Sequence, residues 1–300
     1  MYDLIIVGGG PAGLTAAIYA LRKRLNVLVV AEDLGGKTNF HMQTEDEGRH
    51  MVINGIEIVA KFRRELEYLN FAYRQAKIER IDRVHDHFVV KTQSWGELVA
   101  RSVIVATGAR VQSLDVPGEI KYLGKGLGYS ATSYAPLFLD KKVVIVGGSE
   151  LALRSAAEMA TVAAQVHLVG LRSELLASPL GKKLASRENV TIMAGHQVTQ
   201  ILGNGFCNAV MVGGPQGFET EIETDGVFVE KRLIPNSEIV AHLVELDKDG
   251  RIVVDGMSRT NIPGLFAAGD VGTATEQVLI AVGEGAKAAL AAYEYLLPVL

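Results

Sequence analysis

The sequence has a single cysteine, which excludes disulfide chemistry within these residues. Cys207 is the single cysteine among 300 residues, so no intramolecular disulfide and no Cys-x-x-Cys pair can form within them. One cysteine also favours a reduced, cytoplasmic setting. A metal site is not expected, because His85 and His87 flank a predicted hairpin turn and no further ligand cluster lies near them in the sequence.

The sequence also lacks an excess of basic charge and a long uninterrupted apolar run. Its net charge is −4, and the short basic clusters lie beside apolar helical residues, so nucleic-acid binding is not expected. The alanine-rich stretch 278–300 is broken by Glu284, Lys287 and Glu294, which argues against a membrane span. A hydrophobic content of 48% is enough for two ordinary cores. We therefore expect a soluble, two-domain protein.

What the sequence does contain is a glycine-rich turn near its start. The apolar run 3–7 enters Gly8-Gly9-Gly10-Pro11-Ala12-Gly13, a helical pattern covers 14–24, and a second apolar run, 27–30, leads to Glu32. Strand, glycine turn, helix, strand and acidic residue in this order are typical of a dinucleotide-binding unit.

Each part of this pattern has a physical role. Gly8 permits the tight turn, Gly10 lets the backbone approach a diphosphate, and Gly13 lets the helix pack closely on the strand. Pro11 and Ala12 begin the helix, whose first N–H groups and dipole favour an anion. The carboxylate of Glu32 can accept hydrogen bonds from an adenosine ribose, and Asp33 could take its place.

The same pattern recurs later in the chain. The apolar run 142–146 ends in Gly147-Gly148-Ser149-Glu150-Leu151-Ala152, a helical pattern continues to about residue 163, and 166–169 is the next predicted strand. Two such units predict an α/β protein with two nucleotide-binding domains.

Three motifs together resemble a known family. They are the opening glycine turn, Ala106-Thr107-Gly108 after the apolar run 103–105, and the segment 262–271, which contains Gly269-Asp270. In their order and spacing they resemble the FAD signature of low-molecular-weight thioredoxin reductases. The resemblance implies two Rossmann-like domains in three-layer ββα form, the second inserted in the first. It places the FAD domain at 1–113 and 242–300 and the second nucleotide domain at 114–241.

The resemblance also implies which residues hold a non-covalent FAD. Asp270 would bind the ribityl chain, and a helix starting near Glu276 and Gln277 would face the pyrimidine edge of the flavin. Gly36 and Lys37 are also expected to contact FAD, and they begin a segment that departs from the family pattern around the flavin. His41 and His50 follow in that segment. They could approach the isoalloxazine ring and tune it, but isolated histidines are more often surface residues. A homodimer is expected from the resemblance alone.

The chain departs from the family at the residues that transfer electrons. Thioredoxin reductases carry Cys-Ala-Thr-Cys-Asp-Gly before the second glycine turn, and the matching residues in this chain include Ser130, Ser133 and Tyr134. A serine hydroxyl neither attacks disulfides nor exchanges electrons with flavin. The aspartate is lost as well, which favours native serines over serines introduced to trap a complex. Thioredoxin reduction is therefore not expected, and Tyr129 and Tyr134 become candidates for a flavin-pocket wall.

The second nucleotide site departs too. Its candidate residues are Gly147, Gly148, Ser149, Ala152 and Arg172. Ser149 puts a side chain where the fingerprint has glycine, and Arg172 is the one arginine left of those that hold the 2′-phosphate of NADPH in the family. Losing two charge-assisted contacts weakens NADPH by roughly 10² to 10⁴-fold. At Gly170 there is no carboxylate that would favour NADH instead, so the binding of either nucleotide is doubtful.

Three functions remain open. The first is an FAD-dependent oxidoreductase that passes electrons directly between flavin and an external partner, such as reduced ferredoxin or a small molecule. The second is a non-catalytic flavin-binding interaction or sensor protein. The third, a ferredoxin-NADP reductase of thioredoxin reductase-like type, is disfavoured by the lost arginines. We expect an enzyme, because bound FAD is rarely redox-silent.

Overall fold

The computed structural model describes residues 1–39, 42, 55–69, 71–272 and 275–300. The chain divides into two compact units: unit 1 contains residues 1–39, 54–110 and 234–300, and unit 2 contains residues 40–53 and 111–233. Unit 2 is thus inserted in unit 1. The second boundary lies before Ile234 rather than at the expected 241/242, because Ile234 and Pro235 already pair with Arg110 and Ala109 of unit 1.

The described residues form strands and helices that are numbered in chain order. The strands are β1 Tyr2–Val7, β2 Val27–Ala31, β3 Ala72–Gln75, β4 Ile78–Val84, β5 His87–Thr92, β6 Gly96–Val105, β7 Ala109–Arg110, β8 Leu127–Gly128, β9 Lys142–Val146, β10 Gln165–Val169, β11 Val190–Met193, β12 Gln197–Asn204, β13 Phe206–Gly213, β14 Glu219–Glu223, β15 Gly226–Val229, β16 Ile234–Pro235 and β17 Leu265–Ala267. The α-helices are α1 Pro11–Arg22, α2 Gly55–Tyr68, α3 Glu119–Tyr122, α4 Ala131–Tyr134, α5 Glu150–Met159, α6 Ser173–Leu176, α7 Pro179–Ala185 and α8 Val278–Leu296.

Unit 1 is built on a sheet of order β3-β2-β1-β6-β5-β4, with β17 also beside β6. Strands β1, β2, β3 and β17 run parallel to their neighbours, whereas β4, β5 and the first half of β6 form an antiparallel meander. One core cluster lies under α1, α2 and α8, and a second joins the sheet to the meander and to residues 240–271. Helices, sheet and meander give three layers, as expected.

Unit 2 repeats this plan on a smaller scale. Its parallel sheet has the order β11-β10-β9-β15-β8, and β12, β13 and β14 form a separate antiparallel sheet. One core cluster packs α5 and α7 on the parallel sheet, and another lies against the antiparallel sheet. Met42, from the segment 40–53, is buried in the first of these clusters. The expectation of two Rossmann-like domains is confirmed.

The predicted helices are displaced or shortened at their ends. Helix α1 begins at Pro11, because proline fits the first helical position, and ends at Arg22, before Arg24 with φ 62°. Helix α5 ends at Met159 rather than near residue 163. Just beyond its end, the carbonyls of Ala160 and Ala163 accept hydrogen bonds from the side chain of Asn189. Within the described ranges, no helix is long and apolar enough to cross a membrane.

Candidate cofactor sites and the serine pair

The first glycine turn has the shape that its sequence predicts. Gly8 has φ +115°, and a Cβ atom there would lie 2.2 Å from the carbonyl oxygen of Ala106. A Cβ at Gly13 would lie 2.0 Å from the oxygen of Gly8, whereas a Cβ at Gly10 would meet nothing within 4 Å. Gly8 and Gly13 are therefore required by the fold, and Gly10 leaves open space beside the turn.

The N-terminus of α1 is suited to an anion. Gly10 is its N-cap residue, no side chain caps it, and its first turn contains no acidic residue. As in every α-helix, its first N–H groups have no intrahelical acceptor, so they are available to a ligand. Open space at Gly10 and uncapped N–H groups together fit a diphosphate.

The two acidic residues after β2 have different environments. The Oδ1 atom of Asp33 accepts hydrogen bonds from the N–H of Gly36 at 2.8 Å and from Nδ2 of Asn39 at 3.2 Å. Glu32 is exposed, and its backbone carbonyl accepts a hydrogen bond from Gln75. Because the carboxylate of Asp33 is committed to a turn, Glu32 is the better ribose candidate.

The Ala106-Thr107-Gly108 motif is fixed by a residue that the sequence pattern did not predict as part of the site. Nδ2 of Asn236 donates to the carbonyl of Thr107 at 2.9 Å, and the hydroxyl of Thr107 donates to the carbonyl of Asn236 at 2.7 Å. A Cβ at Gly108 would meet nothing within 4 Å. The Pro-Asn pair that contains Asn236 could have signalled this contact, but by itself it indicates only a turn.

Asp270 lies in a group of charged side chains at the end of β17. Its carboxylate is 2.6 Å from Nζ of Lys37, and only 13% of the Asp270 side chain is exposed. Glu284 of α8 accepts a hydrogen bond from the N–H of Gly269 at 2.7 Å. Gln277 is the N-cap of α8, preceded by Glu276, whose carboxylate is 3.9 Å from a guanidinium nitrogen of Arg251.

Burial shifts the protonation of two of these carboxyls. Desolvation raises the pKa of Glu276, with Lys37 and Arg251 opposing the shift and Asp270 adding to it. Desolvation also raises the pKa of Glu284, against the hydrogen bond from Gly269. The sequence did not point to Glu284, because a glutamate in the middle of a helix gives no signal. His41 and His50 lie outside the described residues.

The described residues of unit 1 fit FAD. The open turn at Gly10 and the uncapped α1 match a diphosphate, exposed Glu32 matches a ribose, and half-buried Asp270 is an acceptor for hydroxyl groups. All of these follow the C-terminal ends of parallel strands, where nucleotides bind in such sheets.

In unit 2 the structure brings the predicted second-site residues together. A Cβ at Gly147 would lie 2.4 Å from the oxygen of Glu230 and 2.8 Å from Cβ of Ala152, so the turn is as tight as in unit 1. Nε of Arg172 donates to the carbonyl of Gly148 at 2.9 Å. Ser149 is the N-cap of α5, and its Oγ is buried with no hydrogen-bond partner among the described residues. The hydroxyl is thus turned into the protein rather than toward solvent.

The two serines at the dithiol positions touch each other. Oγ of Ser130 lies 2.8 Å from Oγ of Ser133, and Ser130 has φ 64° at the N-terminus of α4. Buried Glu230, which the sequence did not single out, accepts a hydrogen bond from the N–H of Ala131 at 2.6 Å. The fold therefore keeps the close pair while hydroxyls replace the thiols.

Tyr134 is partly buried and Cys207 is fully buried in unit 2. The ring of Tyr134 stacks on Phe228 with ring centres 6.5 Å apart, and burial raises its pKa. Cys207 is 3% exposed, and burial raises the pKa of its thiol to about 12. The single cysteine is therefore not a thiolate near neutral pH.

Residues 2–285 match the pyridine nucleotide-disulphide oxidoreductase family, and the chain belongs to that family. Members bind FAD and use NAD(P)H, so the chain is an oxidoreductase of flavoprotein type. Over 99% of its length it is 37% identical to the F subunit of alkyl hydroperoxide reductase from Pseudomonas putida, covering 58% of that protein. It is 35% identical, again over 99% of its length, to NADH dehydrogenase of Bacillus subtilis (strain 168), covering 59% of it.

The fold agrees with the sequence matches. The crystal structure of thioredoxin reductase from Streptococcus pyogenes MGAS5005 superposes with a TM-score of 0.90 at 33% identity, covering 99% of both chains. The expected thioredoxin reductase-like fold is thus confirmed. The chain spans a little more than half the length of the two curated relatives it matches.

Proposed function

We propose that the chain is an FAD-dependent oxidoreductase that passes electrons directly between its flavin and an external partner, without a thiol relay of its own. Unit 1 would hold FAD through its two glycine motifs, Glu32 and Asp270, with Gln277 at the start of α8. Bound FAD would supply reversible acceptance of two electrons. The protein's part is to bind and orient the cofactor.

The serine pair is the observation that carries this proposal. Ser130 and Ser133 stand at the family's dithiol positions, with their hydroxyl oxygens 2.8 Å apart, yet they have no redox chemistry of their own. Cys207 cannot replace them, because it is buried and its pKa is raised to about 12.

The test compares acceptors. The purified chain, reduced anaerobically by a suitable donor, should pass electrons to ferricyanide or a quinone and reduce 5,5′-dithiobis(2-nitrobenzoate) no faster than free FAD does. A Ser130→Cys/Ser133→Cys variant should reduce that disulfide at least about tenfold faster, because two adjacent thiols restore exchange.

The matched control is Ser130→Ala/Ser133→Ala, which removes the hydroxyls without adding sulfur. It should keep the ferricyanide rate of the unmodified chain. Efficient disulfide reduction by the unmodified chain, or loss of ferricyanide reduction in the alanine variant, contradicts the proposal. A colourless protein that takes up no FAD removes it altogether.

We further propose that unit 2 binds NADPH weakly. Two supports are that Arg172 is the one arginine this chain keeps of those that hold the 2′-phosphate in the family, and that a relative is named NADH dehydrogenase. Anaerobic bleaching of the flavin by NADH, NADPH and reduced ferredoxin distinguishes the donors. Bleaching by none of them supports the non-catalytic flavin-binding alternative. A homodimer and a cytoplasmic location remain part of the proposal.

A further inference from the structure

The ion pair between Lys37 and Asp270 joins two segments of the candidate FAD site. Lys37 follows Gly36, whose added Cβ would lie 3.3 Å from Cα of Gly10, so the two glycine segments are in contact. At the same time Nζ of Lys37 is 2.6 Å from the carboxylate of Asp270. Lys37 therefore follows a residue that contacts the turn that fits a diphosphate, and its side chain reaches the residue that fits the ribityl chain.

Lys37 lies among charged side chains of both signs. Asp270 interacts electrostatically with both Glu276 and Glu284. Lys37 and Arg251 lower the pKa of Glu276, and Lys287 lowers that of Glu284. Of these cations, Arg251 is already paired with Asp249 at 2.8 Å, and Lys287 donates to the carbonyl of Gly256 at 3.1 Å. A diphosphate brings two further negative charges to this region, and a half-buried carboxylate repels them unless a cation lies between.

We propose that Lys37 is the counter-ion that allows Asp270 and the diphosphate of FAD to occupy one site. The ammonium group neutralises Asp270 and donates to the diphosphate, so Lys37 determines the affinity for a flavin that carries this group. The inference rests on the proposed FAD site and goes beyond it by assigning one residue to two anions.

The test is binding, not turnover. The full chain is stripped of FAD and titrated with FAD and, separately, with ADP, which has the diphosphate but no flavin. Lys37→Met should weaken both ligands by about 10- to 100-fold, the effect of losing one charge-assisted contact. Lys37→Arg should stay within a few-fold of the unmodified chain, and Lys61→Met, which alters an exposed lysine of α2, should change nothing.

A second variant tests the coupling to Asp270. If Lys37 neutralises that carboxylate, Lys37→Met/Asp270→Asn should bind ADP more tightly than Lys37→Met alone, because the uncompensated charge is gone. Circular dichroism and thermal melting of each FAD-free variant show whether it is folded, and Lys37→Gln serves if the methionine variant is not.

The outcomes are separable. If Lys37→Met binds FAD and ADP as tightly as the unmodified chain does, the inference is overturned and the proposed function is left intact. Weakened FAD with unchanged ADP overturns the contact to the diphosphate, and no recovery in the double variant overturns the neutralisation of Asp270. Failure of the unmodified chain to bind FAD overturns the proposed function instead.

Discussion

The two glycine turns of this chain have the same backbone plan and different electrostatics. Both follow a buried parallel strand and open a helix, and in both a Cβ on the first glycine would collide with a neighbouring carbonyl oxygen. In unit 1 the N-terminus of α1 has no acidic residue in its first turn, whereas α5 of unit 2 begins with Glu150 after Ser149. The topology builds two sites, and a few side chains decide which of them favours a phosphate.

The largest effects are expected from substitutions at two glycines of unit 1. The fold requires Gly13, whereas Gly10 leaves the open space that fits the diphosphate. Gly13→Ala should destabilise the protein by about 3 kcal/mol or more, because its Cβ meets the oxygen of Gly8 at 2.0 Å. Gly10→Ala should leave the melting temperature of the FAD-free chain unchanged and abolish measurable FAD binding, because its methyl group fills the space for the diphosphate. Thermal melting and FAD titration check both variants, and tight FAD binding by Gly10→Ala would contradict the placement of the diphosphate.

A smaller effect is expected in unit 2. Glu150→Gln removes a negative charge from the first turn of α5, so NADH and NADPH should both bleach the flavin at concentrations up to about tenfold lower. Glu188→Gln, which alters an exposed acidic residue of unit 2 outside α5, is the matched control. Stopped-flow bleaching at several nucleotide concentrations measures the change. An unaltered response in Glu150→Gln would show that this charge does not limit nucleotide binding.

The smallest effect concerns the protonation of Glu276. Burial raises its folded-state pKa, so the folded state holds a proton that the unfolded state releases, and stability falls as pH rises from the ordinary glutamate pKa to the raised value. Below that window Glu276→Gln should melt at the same temperature as the unmodified FAD-free chain. Above the window it should melt at a higher temperature, because its free energy of unfolding is greater by no more than about 1 kcal/mol. Equal melting temperatures at all pH values would sink this prediction.

Much of the site could be predicted from the sequence, since its parts are local. A strand, a glycine turn and a helix are encoded in consecutive residues, so Gly8, Gly13 and the start of α1 followed from the pattern. Asn236 and Glu230 could not be predicted as site residues, because each acts on a segment roughly a hundred or more positions away in the chain. No local pattern records such a contact.

The sequence by itself determined the two nucleotide-type units, the family and the absence of a dithiol within these residues, because glycine spacing, strand periodicity and the identity of sulfur are properties of the chain. Only the tertiary structure decided that Lys37 pairs with Asp270, that Asn236 holds Thr107 and that Glu230 accepts a hydrogen bond from Ala131. Those facts depend on which distant segments the folded core brings within a few ångströms, and a hydrogen bond or ion pair forms only at that distance.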